Sequence, residues 1–240
     1  MRVIVVRHHG IDDAGFIGDA FVARGGEIAV HLFPDDGPLP TLDGVDHVIV
    51  LGAKWSVYDE ATIGDWIGDE LAWLREADQA GVPVLGICFG AQALSAALGG
   101  RVAPASRPEI GWTTVDSLDP QLVEPGPWLE FHSDQCLPPP DATLLARNDV
   151  GVQAFSLRRN LAVQFHPEVN GPQLRRWLEV GCAAEAKRAG LDPDKLVAQT
   201  VAEESVAAQR ADRLVAAALR IAAQAGENLT PSPRQRADRR

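Results

Sequence analysis

The sequence predicts an α/β fold of three layers, in which helices cover both faces of a mostly parallel central sheet. Short β-branched apolar runs alternate with longer amphipathic stretches along the first hundred residues. Such runs are typical of parallel strands, which are buried on both faces. Strands that alternate with helices form parallel sheets, because each helix crosses over to bring the next strand alongside.

The predicted elements of this first part follow one another without long loops. The strands are the runs RVIVV, EIAVHLF, HVIVLG and VPVLGI. The helices are the stretches DAGFIGDAFVARGG, TIGDWIGDELAWLREADQAG and AQALSAALGG, each of which ends in glycine. Glycine is the usual residue just after a helix, since it adopts the left-handed backbone at low cost.

The second part of the chain has a different pattern. Short strand-like pieces separated by turns predict a more antiparallel region, and from Pro172 the composition predicts helices that break near GLDPD. We therefore expect a main domain over 1–180, a helical extension over 181–228 and a basic, disordered tail over 229–240. The extension either packs on the domain or contacts a second chain.

Composition excludes several classes of protein. The formal net charge of -11 argues against nucleic-acid binding, which needs a basic surface. The apolar runs are too short for a membrane span or a signal peptide. Three widely spaced cysteines fit neither a disulfide framework nor a zinc site, and no nucleotide-binding motif is present. We expect a cytoplasmic protein with no metal or cofactor.

The stretch Gly86-Ile87-Cys88-Phe89-Gly90 places a cysteine between two glycines, where a strand turns into a helix. A sharp strand-to-helix turn leaves no room for flanking side chains, as in a nucleophile elbow. The helix N-terminus favours a thiolate, and the Phe89 amide can face a developing oxyanion. The alternative is a buried, inert cysteine in a tight turn.

The stretch AVQFHPEV ends a predicted strand with His166 and Glu168. Extended backbone places residues i and i+2 on one face, so the carboxylate can orient the imidazole. A cysteine nucleophile needs such a base. The strand that ends at Gly52-Ala53 offers further amides at the same sheet edge as a second oxyanion donor, although an ordinary turn would look the same.

Together these motifs resemble the class I glutamine amidotransferases, most closely the stand-alone members similar to GMP synthase. The resemblance rests on GICFGAQ, FHPE and LGAKWSV, and extends over about residues 1 to 180. It implies a flavodoxin-like fold and a triad of Cys88 as nucleophile, His166 as base and acid, and Glu168 as orienter. It also implies substrate contacts by Gln92, and by Ser133 and Asp134 of the FHSD segment.

The implied reaction is cleavage of the γ-amide of glutamine, or of another γ-glutamyl compound, through a cysteine thioester. The alternatives are a γ-glutamyl peptidase without ammonia transfer and a non-catalytic binding subunit; a synthetase chain or a second copy is a possible partner. Related sequences have Gly-Gly-Pro where this one has Gly52-Ala53-Lys54, followed by Trp55. His8 and His9, near the expected active edge, are interpreted as a solvated loop.

Overall fold

The computed structural model describes residues 1–229, and side chains as far as residue 225. The tail predicted over 229–240 lies outside the described residues, apart from its first position. Within the described part, the predicted order of strands and helices is confirmed. No helix in this part is long and apolar enough to cross a membrane.

One half of the nine-stranded sheet is parallel. The strands of this half run in the order β2-β1-β3-β4-β9. Their bounds are β1 Arg2–Arg7, β2 Glu27–Leu32, β3 His47–Val50, β4 Val84–Ile87 and β9 Asn160–Val163. Two helices, α1 Gly15–Val22 and α2 Glu60–Ala80, connect strands of this half, and a third, α3 Phe89–Ala97, follows β4. Gly81, with φ 73°, ends α2 in the left-handed conformation that the sequence predicts.

The other half is antiparallel, and continues the same sheet in the order β9-β8-β6-β5-β7. Its strands are β5 Arg101–Ser117, β6 Gly126–Leu137, β7 Thr143–Arg147 and β8 Val152–Leu157. β5 is 17 residues long, because its first half also pairs with β6 across an irregularity between Pro104 and Glu109. The antiparallel character predicted for this region is confirmed.

Alternating side chains of the parallel strands build a core on each face of the sheet. Val3, Val5 and Ile49 face the layer that contains α1. Ile4, Val6 and Val48 face the layer of α2 and α3. Both faces are therefore covered, and the three-layer prediction is confirmed.

Helices complete the fold after β9. They are α4 Gly171–Trp177, a π-helical turn Leu178–Cys182, α5 Ala183–Arg188 and the long α6 Pro193–Leu229. α6 joins the core on the α1 face, where Leu214, Val215 and Ala218 are at most 2% exposed. The C-terminal helix is thus part of the layered structure, because it covers sheet surface that would otherwise be open.

Candidate active site

Cys88 occupies a strained turn between β4 and α3. Its φ of 51° and ψ of -108° lie outside the regions that non-glycine residues ordinarily adopt. A Cβ on Gly86 would lie 2.6 Å from the Gly90 carbonyl oxygen, and one on Gly90 would lie 2.1 Å from that of Val50. Only glycine fits on either side, so the sequence pattern has the steric origin expected of a nucleophile elbow.

His166 lies next to this turn because β9 is the parallel neighbour of β4. Ile87 pairs with Val163, and the His166 amide donates to the Leu129 carbonyl of β6 at 2.8 Å, which fixes the chain beyond the end of β9. His166 Nδ1 lies 2.8 Å from a carboxylate oxygen of Glu168. Both side chains are buried. The structure thus brings the three residues predicted as a triad to one edge of the sheet.

The environment of His166 favours its protonated form. Burial alone lowers the pKa of His166, but the charges of Glu168 and Cys88, the hydrogen bond to Glu168 and the proximity of the thiol raise that pKa well above its ordinary value. Among the described residues Nε2 has no well-aligned hydrogen-bond partner, so its contact with the thiol is loose. Loose contacts of this kind are common in a site without substrate.

The loop that follows β3 passes directly over the cysteine and histidine. A Cβ on Gly52 would lie 2.9 Å from His166 Cε1 and 3.6 Å from Cys88 Cβ. Within residues 1–229, the backbone amides of Gly52, Ala53 and Phe89 donate no hydrogen bond. Ala53 is not among the residues with positive φ, so alanine fits where a related sequence has glycine.

The next residues of this loop form a polar and aromatic rim. Lys54 is exposed, and its Nζ lies 5.1 Å from the centre of the Trp55 ring. His9 stacks on the same ring at 4.9 Å. Lys54 and Trp55 therefore lie at the edge of the site, while Gly52 places no side chain next to Cys88 and His166.

The residues predicted to bind substrate have three different environments. Asp134 is buried, and its carboxylate accepts hydrogen bonds from the hydroxyls of Ser56 and Tyr58, the latter at 2.7 Å. Ser133 is exposed on the other face of β6. Gln92 is buried, and its amide donates to Gln164 at 3.2 Å.

Two buried ionisable groups near the site were not predicted from the sequence. His8, interpreted from sequence as a solvated residue, is 4% exposed and lies 3.0 Å from Glu70 of α2. That interpretation is wrong, because the end of β1 is covered by α2. Asp12 accepts a hydrogen bond from the Trp177 ring at 2.7 Å. Burial raises the pKa of Asp12, despite this hydrogen bond, to about 6.

A further buried cluster contains Glu109, Glu130 and His132, whose ligand-type atoms all lie within 4.8 Å of one another. This cluster was not predicted from the sequence either. Its signal was the spacing Glu130, His132, Asp134, which places three polar side chains on one face of β6.

The sheet is an open α/β sheet, and at the carboxyl ends of its parallel strands a cysteine elbow lies next to a histidine–glutamate pair. Open α/β sheets bind their ligands at this edge. The family model for glutamine amidotransferase class-I matches residues 16–180. The chain therefore belongs to the class I glutamine amidotransferase family.

Relatives with curated names agree with this assignment. The chain is 33% identical over 150 residues to one subunit of a glutamine-hydrolysing GMP synthase from Saccharolobus solfataricus, and the match covers 58% of this chain and 76% of that protein. It is 36% identical over 154 residues to a glutamine-hydrolysing GMP synthase from Aeropyrum pernix, covering 59% of this chain and 29% of that protein. A glutamine amidotransferase structure from Thermotoga maritima superposes with a TM-score of 0.82 at 26% identity, covering 92% of this chain and 97% of that one.

Proposed function

We propose that this protein hydrolyses the side-chain amide of glutamine, or of another γ-glutamyl compound, through a thioester on Cys88. The observation that carries the proposal is the assembly of Cys88, His166 and Glu168 next to Gly52 and Ala53, whose amides donate no hydrogen bond within residues 1–229. Family membership and the names of the relatives support the substrate class.

In the first half of the reaction, the Cys88 thiolate forms a bond to the amide carbon. The amides of Gly52, Ala53 and Phe89 hold the oxyanion. His166, kept protonated by Glu168, gives its proton to the departing nitrogen as the carbon–nitrogen bond breaks. The products of this half are ammonia, or an amine, and the γ-glutamyl thioester.

In the second half, His166 takes a proton from water, whose oxygen attacks the thioester carbon. The carbon–sulfur bond breaks, the γ-carboxylate leaves, and the thiolate–imidazolium pair is restored. Glu168 keeps the imidazole in one orientation through both halves. Asp134 is proposed to pair with the α-ammonium group, with Gln92 as a further contact at the substrate. Ser133 lies on the other face of β6 from Asp134, so the substrate contact predicted for it is not proposed.

A partner chain that consumes the ammonia is proposed from the relatives, which are named as GMP synthases or as one subunit of such an enzyme. A γ-glutamyl peptidase remains the second candidate, favoured by the exposed Lys54 and by Trp55 at the rim of the site. The free thiols of Cys88, Cys136 and Cys182 support our placing the protein in the cytoplasm.

The test measures ammonia from L-glutamine and amine from γ-glutamyl peptides, with Cys88→Ser as the control. Release of ammonia from glutamine that the control lacks supports an amidotransferase-type glutaminase, whereas preference for the peptides supports the second candidate. Failure to cleave either substrate, with or without candidate synthetase chains added, would favour a non-catalytic binding subunit.

A further inference from the structure

Glu109, Glu130 and His132 form a buried cluster, here called the His132 cluster, on the face of the sheet beside the elbow. Glu109 and His132 are directly opposite each other in the β5–β6 ladder, and Glu130 lies two residues before His132 on the same face. His132 Nε2 is 3.2 Å from an oxygen of each carboxylate. The three side chains are at most 2% exposed.

The cluster supplies its own cation. Burial lowers the pKa of His132, but the close contacts with Glu109 and Glu130 and the charges of Glu130 and Cys88 raise it to about 10. The imidazole is therefore protonated at neutral pH, and its Nε2 proton faces both carboxylates. A metal ion would first have to displace that proton. Within the described residues, Nε2 and both oxygens of Glu130 have no well-aligned hydrogen-bond partner, so the contacts of His132 with the two carboxylates are ion pairs at 3.2 Å.

Further hydrogen bonds make the cluster rigid. Asn148 donates to one oxygen of Glu109 at 2.7 Å, and Gln153 donates to the other at 2.8 Å. Glu109 is thus held from two other segments of the antiparallel half as well as from β6. Because both oxygens of the Glu109 carboxylate accept hydrogen bonds, this group has little freedom to move, and it restricts the His132 imidazole opposite it.

The other ring nitrogen of His132 reaches the proposed substrate site. Nδ1 donates to the backbone carbonyl of Asp134 at 2.7 Å. The Asp134 carboxylate in turn holds Ser56 and Tyr58, which lie a few residues beyond Gly52. In the same stretch of β6, the Phe131 carbonyl lies 4.0 Å from Cys88 Sγ. One hydrogen-bonded chain therefore links the cluster to the walls around the thiol.

We propose that His132 is a positioning residue, which through the cluster holds Asp134 where the α-ammonium group of the substrate binds. This inference rests on the proposed function, and deepens it by naming what sets recognition of the amino-acid head group. His132 touches neither the reacting carbon nor the thiol in this role. Its loss should weaken head-group recognition far more than it changes the reactivity of the thiol, whose charge interacts with that of His132.

The experiment compares two reagents that both modify Cys88, and peptide mapping confirms that Cys88 is the residue modified. The diazomethyl ketone analogue of L-glutamine carries the α-amino acid head group, whereas iodoacetamide carries none. For His132→Gln we expect the second-order rate constant with the analogue to fall about tenfold or more, because small misplacements of a binding group weaken productive geometry strongly. The rate with iodoacetamide should stay within about threefold of the wild-type value.

His47→Gln is the matched control, since His47 is also buried, at 1% exposure, but lies at the start of β3, away from the carboxyl edge. This variant should leave both rates unchanged. Glu109→Gln removes a charge from the cluster at nearly constant size, and should lower the rate with the analogue in the same selective way. If His132→Gln does not fold, Glu109→Gln alone tests the positioning role.

Parallel loss of both rates, or no loss of either, would overturn the positioning role. The proposed function fails in a different way. Wild-type protein that reacts with iodoacetamide but not with the glutamine analogue would refute glutamine recognition itself, and this inference with it. A selective loss confined to the cluster variants supports both.

Discussion

Replacing Gly52 with alanine tests the geometry at the centre of the site. The added Cβ would lie 2.9 Å from His166 Cε1. Carbon atoms in ordinary contact are about 3.5–4.0 Å apart, so the imidazole must retreat by roughly 0.5–1 Å. The alanine keeps the backbone amide, and Gly52 is not among the residues with positive φ. The perturbation therefore acts on the histidine and not on the oxyanion donor.

The expected result is a fall in kcat of about 10- to 100-fold, because a misplacement of about 1 Å in a catalytic group can cost about 100-fold. The free energy of unfolding should change by less than about 1 kcal/mol, since the atom that must move belongs to a side chain and not to the backbone. Both quantities are measured on one preparation, by ammonia release from glutamine and by urea unfolding. A kcat within about threefold of wild type would refute the argument that Gly52 sets the position of His166.

Two other glycines provide matched comparisons. A Cβ on Gly68, in the exposed surface of α2, has no atom within 4 Å, so Gly68→Ala should leave kcat unchanged. This variant should gain about 0.5–1 kcal/mol of stability, because alanine favours the helix. Gly90→Ala meets backbone at 2.1 Å and should be the opposite case, with loss of about 1–3 kcal/mol or more and a disturbed elbow.

Three further results are expected. Cys88→Ser should lower turnover by more than about 1,000-fold, because the thioester cannot form without the thiol. The melting temperature should change little, because serine differs from cysteine by one atom and His166 and Glu168 remain. Substantial remaining activity would contradict a thioester pathway. Leu214→Ala should cost about 2–5 kcal/mol in urea unfolding, because Leu214 is 2% exposed in the core; a loss below about 1 kcal/mol would mean that α6 is only an appendage. Burial lowers the pKa of His47 to about 4, so unfolding takes up a proton at this residue between about pH 6.5 and pH 4, and the free energy of unfolding falls as the pH is lowered through this range. His47→Gln should make the free energy of unfolding less dependent on pH in this range. An unchanged dependence would exclude His47 as its cause.

Local patterns in the sequence predicted the parallel half of the fold well. Apolar runs such as 3–6 and 48–51 are buried on both faces, so a parallel strand was the consistent interpretation. The elbow was also visible locally, because the steric demand at Cys88 acts on residues only two positions away. Such features need no knowledge of distant parts of the chain.

Long-range pairings escaped prediction for a physical reason. Glu109 meets His132 only because the long β5 pairs with β6 in a particular register, beyond an irregularity that no local pattern reveals. Asp12 and Trp177 are 165 residues apart in sequence. His8 was misinterpreted because its partner Glu70 is a charged residue on the buried face of α2. Charged residues usually mark a solvated face, and here the rule fails.

The proposed nucleophile and the proposed base follow two adjacent parallel strands, and this placement has an evolutionary consequence. Their separation follows from the spacing of β4 and β9, which is common to all parallel sheets at about 4.8 Å. Residues 54–58, which follow the proposed oxyanion donors Gly52 and Ala53, form a loop in a different strand connection and carry the side chains at the rim. New substrates can therefore be acquired by changing that loop alone, while the bond-breaking machinery is inherited intact.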